Sequence, residues 1–277
     1  MIKLDKPTSL NLKRLTLFFF AVISLLISGS LISQNLSLPK ILVFIIGALC
    51  GVVLIYDSKG INRTASLKIK IKQFLTHPRQ AFFLFLLIAL TPAGYIILSP
   101  LSFFLFVFAG ALGVGYSITI KRNNLLFRLK NVLILKNLLI GMAWGILVLI
   151  GAGSIENKFV LLTSLFAFIQ VFIGSVIRDL PDREKDMSSG VRSIPASIGE
   201  AKTILVMHLI NLFSLIILFI PKFDVNFIFL IVIIVFWRLL NLIKVKADVQ
   251  SNLWGQTINL FTCYLFFIIS LIQFLWN

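Results

Sequence analysis

The 277-residue chain is 59% hydrophobic and only 13% charged, with mean hydropathy +1.03 and a formal net charge of +16. That composition excludes a soluble globule, and the continuous apolar runs lack the period-2 alternation of a membrane barrel. The excess of base calls for no nucleic acid, because a polytopic protein acquires it by orienting itself beside anionic lipid.

Nine apolar stretches follow in chain order, near 15–32, 40–56, 80–98, 101–120, 132–151, 159–178, 203–220, 225–243 and 253–275. Each is long enough, or nearly so, to cross a bilayer core, which takes ~20 helical residues. The expected fold is all-α, a polytopic membrane protein with nine transmembrane helices and one domain over residues 1–277. The first stretch has the length of a true span and no small-residue cleavage site after it, so it reads as a retained helix.

Charge placement tests the count. With the N-terminus inside, every Lys and Arg except Lys40, Lys158 and Lys222 falls on an inner segment, Arg238 included. A missed or extra span would scramble this asymmetry. The expected location is the cell membrane, multi-pass, with the N-terminus and the long polar loops 57–79, 121–131 and 179–202 cytoplasmic. An active site opens to that face, since the unusual polar content lies there. Cys50 and Cys263 fall within spans at no metal-ligand spacing and read as packing residues. Gln170, Asn211, Gln256 and Asn259 lie in or near spans, where they serve either as hydrogen bonds between helices or as contacts to a substrate.

Four of the ten acidic residues crowd into Asp179-Leu-Pro-Asp182-Arg-Glu184-Lys-Asp186, at the end of the sixth stretch. On a continuous helix, Asp179, Asp182 and Asp186 would share one face and converge. Packed carboxylates repel unless a cation sits between them, and hard oxygen donors suit Mg²⁺. The bland alternative is a solvated loop balanced by Arg178, Arg183 and Lys185.

Residues 178–199 read Arg-Asp-Leu-Pro-Asp-Arg-Glu-Lys-Asp-Met-Ser-Ser-Gly-Val-Arg-Ser-Ile-Pro-Ala-Ser-Ile-Gly. The stretch resembles the second aspartate motif of the UbiA superfamily of intramembrane prenyltransferases. Asp182 and Asp186 match its central pair and Asp179 its leading acid. Gly190, Arg192, Ser193, Pro195 and Gly199 match its tail, while Lys185 stands where the family has Gly. Tyr116-Ser-Ile-Thr-Ile-Lys121-Arg122 resembles the family's tyrosine-to-basic segment, and Lys136-Asn137-Leu-Leu-Ile-Gly141 its Lys-Asn-x-x-x-Gly. The resemblance implies nine helices around a central apolar cavity with a polar mouth on the cytoplasmic side. It also implies transfer of an isoprenoid chain from a prenyl diphosphate donor to an apolar or aromatic acceptor, a quinone precursor or a lipid. Mg²⁺ would be the cofactor. Asp179, Asp182 and Asp186 become the expected catalytic acids, with Asp182, Asp186 and Asp57 on the metal. Lys121, Arg122, Arg192, Arg178, Arg63 and Tyr116 become the expected diphosphate contacts.

One departure matters. Where the family carries a first acidic cluster, Asn-Asp-x-x-Asp-x-x-x-Asp, this chain reads Val53-Leu54-Ile55-Tyr56-Asp57-Ser58-Lys59-Gly60-Ile61-Asn62-Arg63-Thr64. Asp57 keeps the middle acid, and Val53, Leu54 and Ile61 replace the others. Two further readings therefore stay open: a degenerate homologue that binds prenyl or polar lipids without transfer, and a small-solute transporter hinted at by Pro92, Gly94 and the Gly110–Gly115 region.

Overall fold

The computed structural model describes residues 9–57, 78–117, 119–122, 125–128, 134–188, 192–219, 225–244 and 249–276. Long helices occupy the places where the apolar stretches foretold them. They are α1 (Ser9–Ile32), α2 (Leu38–Asp57), α3 (Pro78–Ile97), α4 (Pro100–Ser117), α5 (Leu135–Ala152) and α6 (Lys158–Asp179). Two short helices, α7 (Arg183–Ser188) and α8 (Ile194–Ile198), precede α9 (Glu200–Phe213) and its 3₁₀ continuation Ser214–Phe219. The long helices α10 (Val225–Lys244) and α11 (Val249–Trp276) complete the described chain.

Leu135–Ala152, Lys158–Asp179 and Glu200–Ile217 are long and apolar enough to cross a membrane; the other long helices carry shorter apolar segments among the described residues. One element was not expected. Thr119–Arg122 (β1) and Leu125–Arg128 (β2) form an antiparallel hairpin in register Thr119↔Arg128 and Lys121↔Leu126. The fourth stretch thus ends as helix at Ser117, and Lys121–Arg122 and Leu125–Arg128, expected in a plain loop, belong to strands. Thr119 and Ile120 are residue types that suit a strand.

Helix α5 is the hub, packed on α6, α1 and α4. The largest core cluster joins Ala21 and Leu25 of α1, Trp144 and Val148 of α5, Phe166 and Val171 of α6, Ile234 of α10 and Phe266 of α11. Small residues bring α1 and α5 into backbone contact. A methyl at Gly151 would press into the Leu26 carbonyl, 2.8 Å from its carbon, and one at Gly29 would lie 2.9 Å from the Ala152 nitrogen. Ser30 Oγ uses this proximity to donate to the Gly151 carbonyl at 2.7 Å.

Polar side chains inside the bundle link helices. Gln170 Nε2 donates to Asn211 Oδ1 at 3.0 Å, and Asn211 Nδ2 to the Val235 carbonyl at 3.0 Å. Arg238 corrects the charge map. It was assigned to an inner loop, yet it lies in α10 at 1% exposure, donating to Gln170 Oε1, the Gln170 carbonyl and Thr262 Oγ1. A long guanidinium can supply several donors in a fixed fork, so one side chain ties α6, α10 and α11 together. Gln170 and Asn211 therefore act as helix-to-helix bonds; the side chains of Gln256 and Asn259 lie outside the described part. Lys40 is also buried, its Nζ 3.3 Å from the Asn35 carbonyl just past the end of α1 and 5.9 Å from the Phe44 ring centre. A cation there offsets the negative end of a helix. Cys50 and Cys263 are buried free thiols, as packing residues should be.

Candidate active site

The acidic motif sits where α6 stops. Pro181 has no N–H to continue the α-helical ladder, and the chain tightens into three-residue turns. Leu180 N donates to the Ile177 carbonyl, Asp182 N to Asp179 and Arg183 N to Leu180, at 3.1 to 3.2 Å. The α-helical spacing resumes with Asp186 N on the Asp182 carbonyl at 2.8 Å. The single straight helix assumed for the three acids is therefore absent. Asp179 closes α6 and is buried, Asp182 lies in the turn and is exposed, and Asp186 is half-buried in α7. Among the described residues no three His, Cys, Asp or Glu side chains are grouped to hold a metal.

Asp179 has partners of its own. Lys136 Nζ lies 2.5 Å from its Oδ1, and Asn137 Nδ2 donates to its Oδ2 at 3.0 Å and to Ser175 Oγ at 3.0 Å. The reason lies in the glycine one turn along α5. A Cβ at Gly141 would stand 2.9 Å from the Phe168 carbonyl, and one at Gly145 2.8 Å from that of Ser164. These two glycines share a face at spacing four and let α5 and α6 approach closely. Lys136 and Asn137, one turn earlier, then reach across to the last turns of α6. The Lys-Asn-x-x-x-Gly string is thus a pairing device between two antiparallel helices.

The tail of the motif packs back on α6. Ser193 accepts from Ala196 N at 3.4 Å and caps α8, Pro195 fits its first turn, and Ile194 and Pro195 are buried against α6. Serine before and proline inside the first turn are ordinary helix-start chemistry. Gly199 then turns the chain into α9 at φ 82°, ψ 167°, a conformation closed to side-chain-bearing residues. Arg192, just ahead of this cap, is exposed; Arg178, in the last turn of α6, is half-buried.

The remaining expected contacts stand in part outside the described atoms. Asp57 ends α2, Tyr116 lies in the last turn of α4, and Lys121 and Arg122 belong to β1; their side chains are outside the described part, as is Arg63 entirely. Two residues were not singled out as site residues from sequence. Lys136 was noted only as part of a motif, and Arg183 only as a charge balancing the acids. Arg183 Nε is buried with no hydrogen-bond partner among the described residues. An orphan donor beside acids at a helix end suits a phosphate oxygen. The signal for Arg183 was its place inside the acidic window.

The donor set fits Mg²⁺, which binds through one or two carboxylates, waters and phosphate oxygens. Asp182, exposed, and Asp186, half-buried, supply such a pair one turn apart, whereas both Asp179 oxygens are engaged by Lys136 and Asn137.

Comparison with known proteins agrees with this architecture. The UbiA prenyltransferase family model matches residues 70–271. Among solved structures, a UbiA homologue from Archaeoglobus fulgidus bound to DMAPP and Mg²⁺ superposes with a TM-score of 0.61 at 15% identity, covering 94% of this chain and 96% of that one. A digeranylgeranylglyceryl phosphate synthase gives 0.63 at 16% identity, covering 96% and 99%. The apo UbiA homologue from Aeropyrum pernix K1 gives 0.63 at 15%, covering 92% and 98%. No curated protein sequence matches the chain.

Proposed function

We propose that this chain, which belongs to the UbiA prenyltransferase family, transfers an isoprenoid group from a prenyl diphosphate to an apolar or aromatic acceptor within the membrane. The observation that carries the reading is the accessible Asp182–Asp186 pair beyond the buried end of α6, flanked by Arg178, Arg183 and Arg192. The bound DMAPP and Mg²⁺ of the Archaeoglobus homologue support the same ligands here. In this reading nine helices span the cell membrane around a central apolar cavity whose mouth faces the cytoplasm.

Transfer breaks an allylic carbon–oxygen bond, and the bonding pair leaves with the diphosphate. Bound Mg²⁺ would neutralise diphosphate oxygens and so make it a better leaving group. Asp182 and Asp186 would hold that ion, with Asp57 approaching from the end of α2. Arg192, Arg178, Lys121, Arg122 and Arg63, with Tyr116, would bind the diphosphate through charge-assisted and neutral hydrogen bonds. The apolar spans would keep the donor's tail in lipid and water away from the electron-poor carbon. The acceptor then forms the new bond at that carbon and loses a proton.

The test gives purified protein Mg²⁺, a series of prenyl diphosphates and membrane lipid extract, and follows diphosphate release. Release is expected, and Asp182→Ala or Asp186→Ala should lower turnover by at least ~10², the scale of losing a transition-state charge contact. No release with any donor, while a related active enzyme succeeds alongside, refutes transfer. The loss of acids at Val53, Leu54 and Ile61 favours a second reading, binding without turnover. Mg²⁺-dependent donor binding with no cleavage would select it.

A further inference from the structure

We infer that Asp179 is a positioning residue rather than a metal ligand, and that it holds Lys136 as a further diphosphate-binding residue. The inference rests on the reading of the site given above. It begins from the difference between the three acids. The Asp179 side chain is 4% exposed, against 21% for that of Lys136. Both Asp179 oxygens are engaged, one by the Lys136 ammonium and one by the Asn137 amide, and that amide is held in turn by Ser175 Oγ.

A dication on Asp179 would have to share a nearly water-free carboxylate with an ammonium 2.5 Å away. Two positive charges sharing one carboxylate in a poorly solvated place repel strongly. Exchanging the lysine for the metal would strand the ammonium instead, and a buried charge deprived of its partner is unfavourable. Asp182, exposed in the turn at Pro181, is open to an ion, and Asp186 stands half-buried one turn further on. The structure thus separates a buried, mutually neutralised Asp179–Lys136 pair from the two acids beyond the turn at Pro181.

The lysine has donors to spare. An ammonium carries three N–H groups, one of them directed at Asp179. Lys136 stands in the first turn of α5, which starts at Leu135 with no side-chain cap at Ile134. The positive end of that helix disfavours the ammonium by itself, which Asp179 offsets, and adds to the ammonium's attraction for an anion. With Asp182 and Asp186 balancing one Mg²⁺, the charge of the diphosphate is left to the basic residues, and Lys136 adds one that is fixed in place. The pairing also explains why the acid before the metal pair lies on α6 itself. From there it meets α5 across the glycine face.

The test separates metal from donor. Mn²⁺ serves as the probe, its free signal followed by electron paramagnetic resonance with geranyl thiodiphosphate present, so no turnover is needed. Asp182→Asn should weaken Mn²⁺ binding at least ~10-fold, whereas Asp179→Asn and Lys136→Met should leave it within ~3-fold. Steady-state assays should show the donor KM raised about tenfold in Asp179→Asn and Lys136→Met, with Lys136→Arg recovering most of it. The double variant Lys136→Met/Asp179→Asn removes both charges together, and so guards against unfolding by a stranded charge. It should bind Mn²⁺ as the unaltered protein does. Loss of Mn²⁺ in Asp179→Asn or the double variant, to the extent seen for Asp182→Asn, overturns the inference. So does an unchanged donor KM in Lys136→Met. If the unaltered protein binds neither Mn²⁺ nor donor, the prenyltransferase reading fails first and takes this inference with it.

Discussion

Replacing Gly151 by alanine is expected to weaken the fold without touching the chemistry. The added methyl would intrude on the Leu26 carbonyl group, 2.8 Å from its carbon and 3.2 Å from the Leu26 Cα. Carbon atoms in good contact lie ~3.5–4.0 Å apart, so α1 and α5 must separate by about 1 Å at this level. Both sides of the contact are backbone, and no rotamer change can relieve it. Overpacking of this kind costs ~1–3 kcal/mol. The Ser30 Oγ bond to the Gly151 carbonyl, 2.7 Å long, would stretch beyond reach and lose a further ~0.6 kcal/mol. Alanine returns about 0.8–1 kcal/mol through its better helix propensity. Sterics win, leaving a net loss of about 1–3 kcal/mol. Gly110→Ala is the control, because nothing lies within 4 Å of its added Cβ and the propensity gain stands alone. Thermal unfolding in detergent, followed by tryptophan fluorescence or by loss of the size-exclusion peak, should rank Gly110→Ala at or above the unaltered protein and Gly151→Ala clearly below it. Gly151 is fifteen residues from Lys136 along α5, about 22 Å, so donor KM and turnover should not change while the protein remains folded. A Gly151→Ala variant as stable as the original would refute the account of backbone contact between α1 and α5.

Other outcomes follow from the same geometry. Gln170→Leu deprives Arg238 of a side-chain acceptor and Asn211 of a donor, leaving the guanidinium on the position-170 carbonyl and Thr262, and should cost ~1–3 kcal/mol for buried polar groups left unsatisfied. Arg238→Met removes the charge itself and should be milder; the reverse order in detergent unfolding would contradict the network. Gly199→Ala forces a side chain into φ 82°, ψ 167°, a strain of ~1–3 kcal/mol. It should lower activity as well, because α8 and Arg192 are set by that turn; full activity and stability together would count against it. Ser188→Cys and Ser37→Cys place thiols at exposed positions near opposite ends of the bundle. A membrane-impermeant thiol reagent applied to intact cells should label position 37 alone, and labelling of position 188 would reverse the proposed orientation.

Much of this architecture was legible because uninterrupted apolar runs leave a helix little alternative in lipid. The places of α1 to α6 and α9 to α11 follow from them. The hairpin Thr119–Arg128 was not legible, since four-residue strands rich in base look the same as an interfacial loop. Arg238 misled for a related reason: a cation six residues from a helix end reads as an anchor, and only the positions of Gln170 and Thr262 reveal it as an internal tie. The acidic motif was recognisable as a string, and the structure leaves Asp182 exposed and Asp186 half-buried. Its geometry was misjudged because helical spacing was carried straight through Pro181. The partner of Asp179 was invisible from spacing alone, being set by the approach of α5 and α6 at Gly141 and Gly145, far away in sequence.

The guanidinium buried in α10 has a consequence for how the protein is made. An arginine well inside an apolar helix adds ~2.5–3.5 kcal/mol to the cost of releasing that helix into lipid by itself. Its acceptors on Gln170 belong to α6, synthesised earlier, while Thr262 belongs to α11, which emerges afterwards. In the proposed nine-span reading α10 would therefore be a dependent segment during biogenesis, leaving the insertion machinery against an already seated α6 and secured only when the last helix arrives.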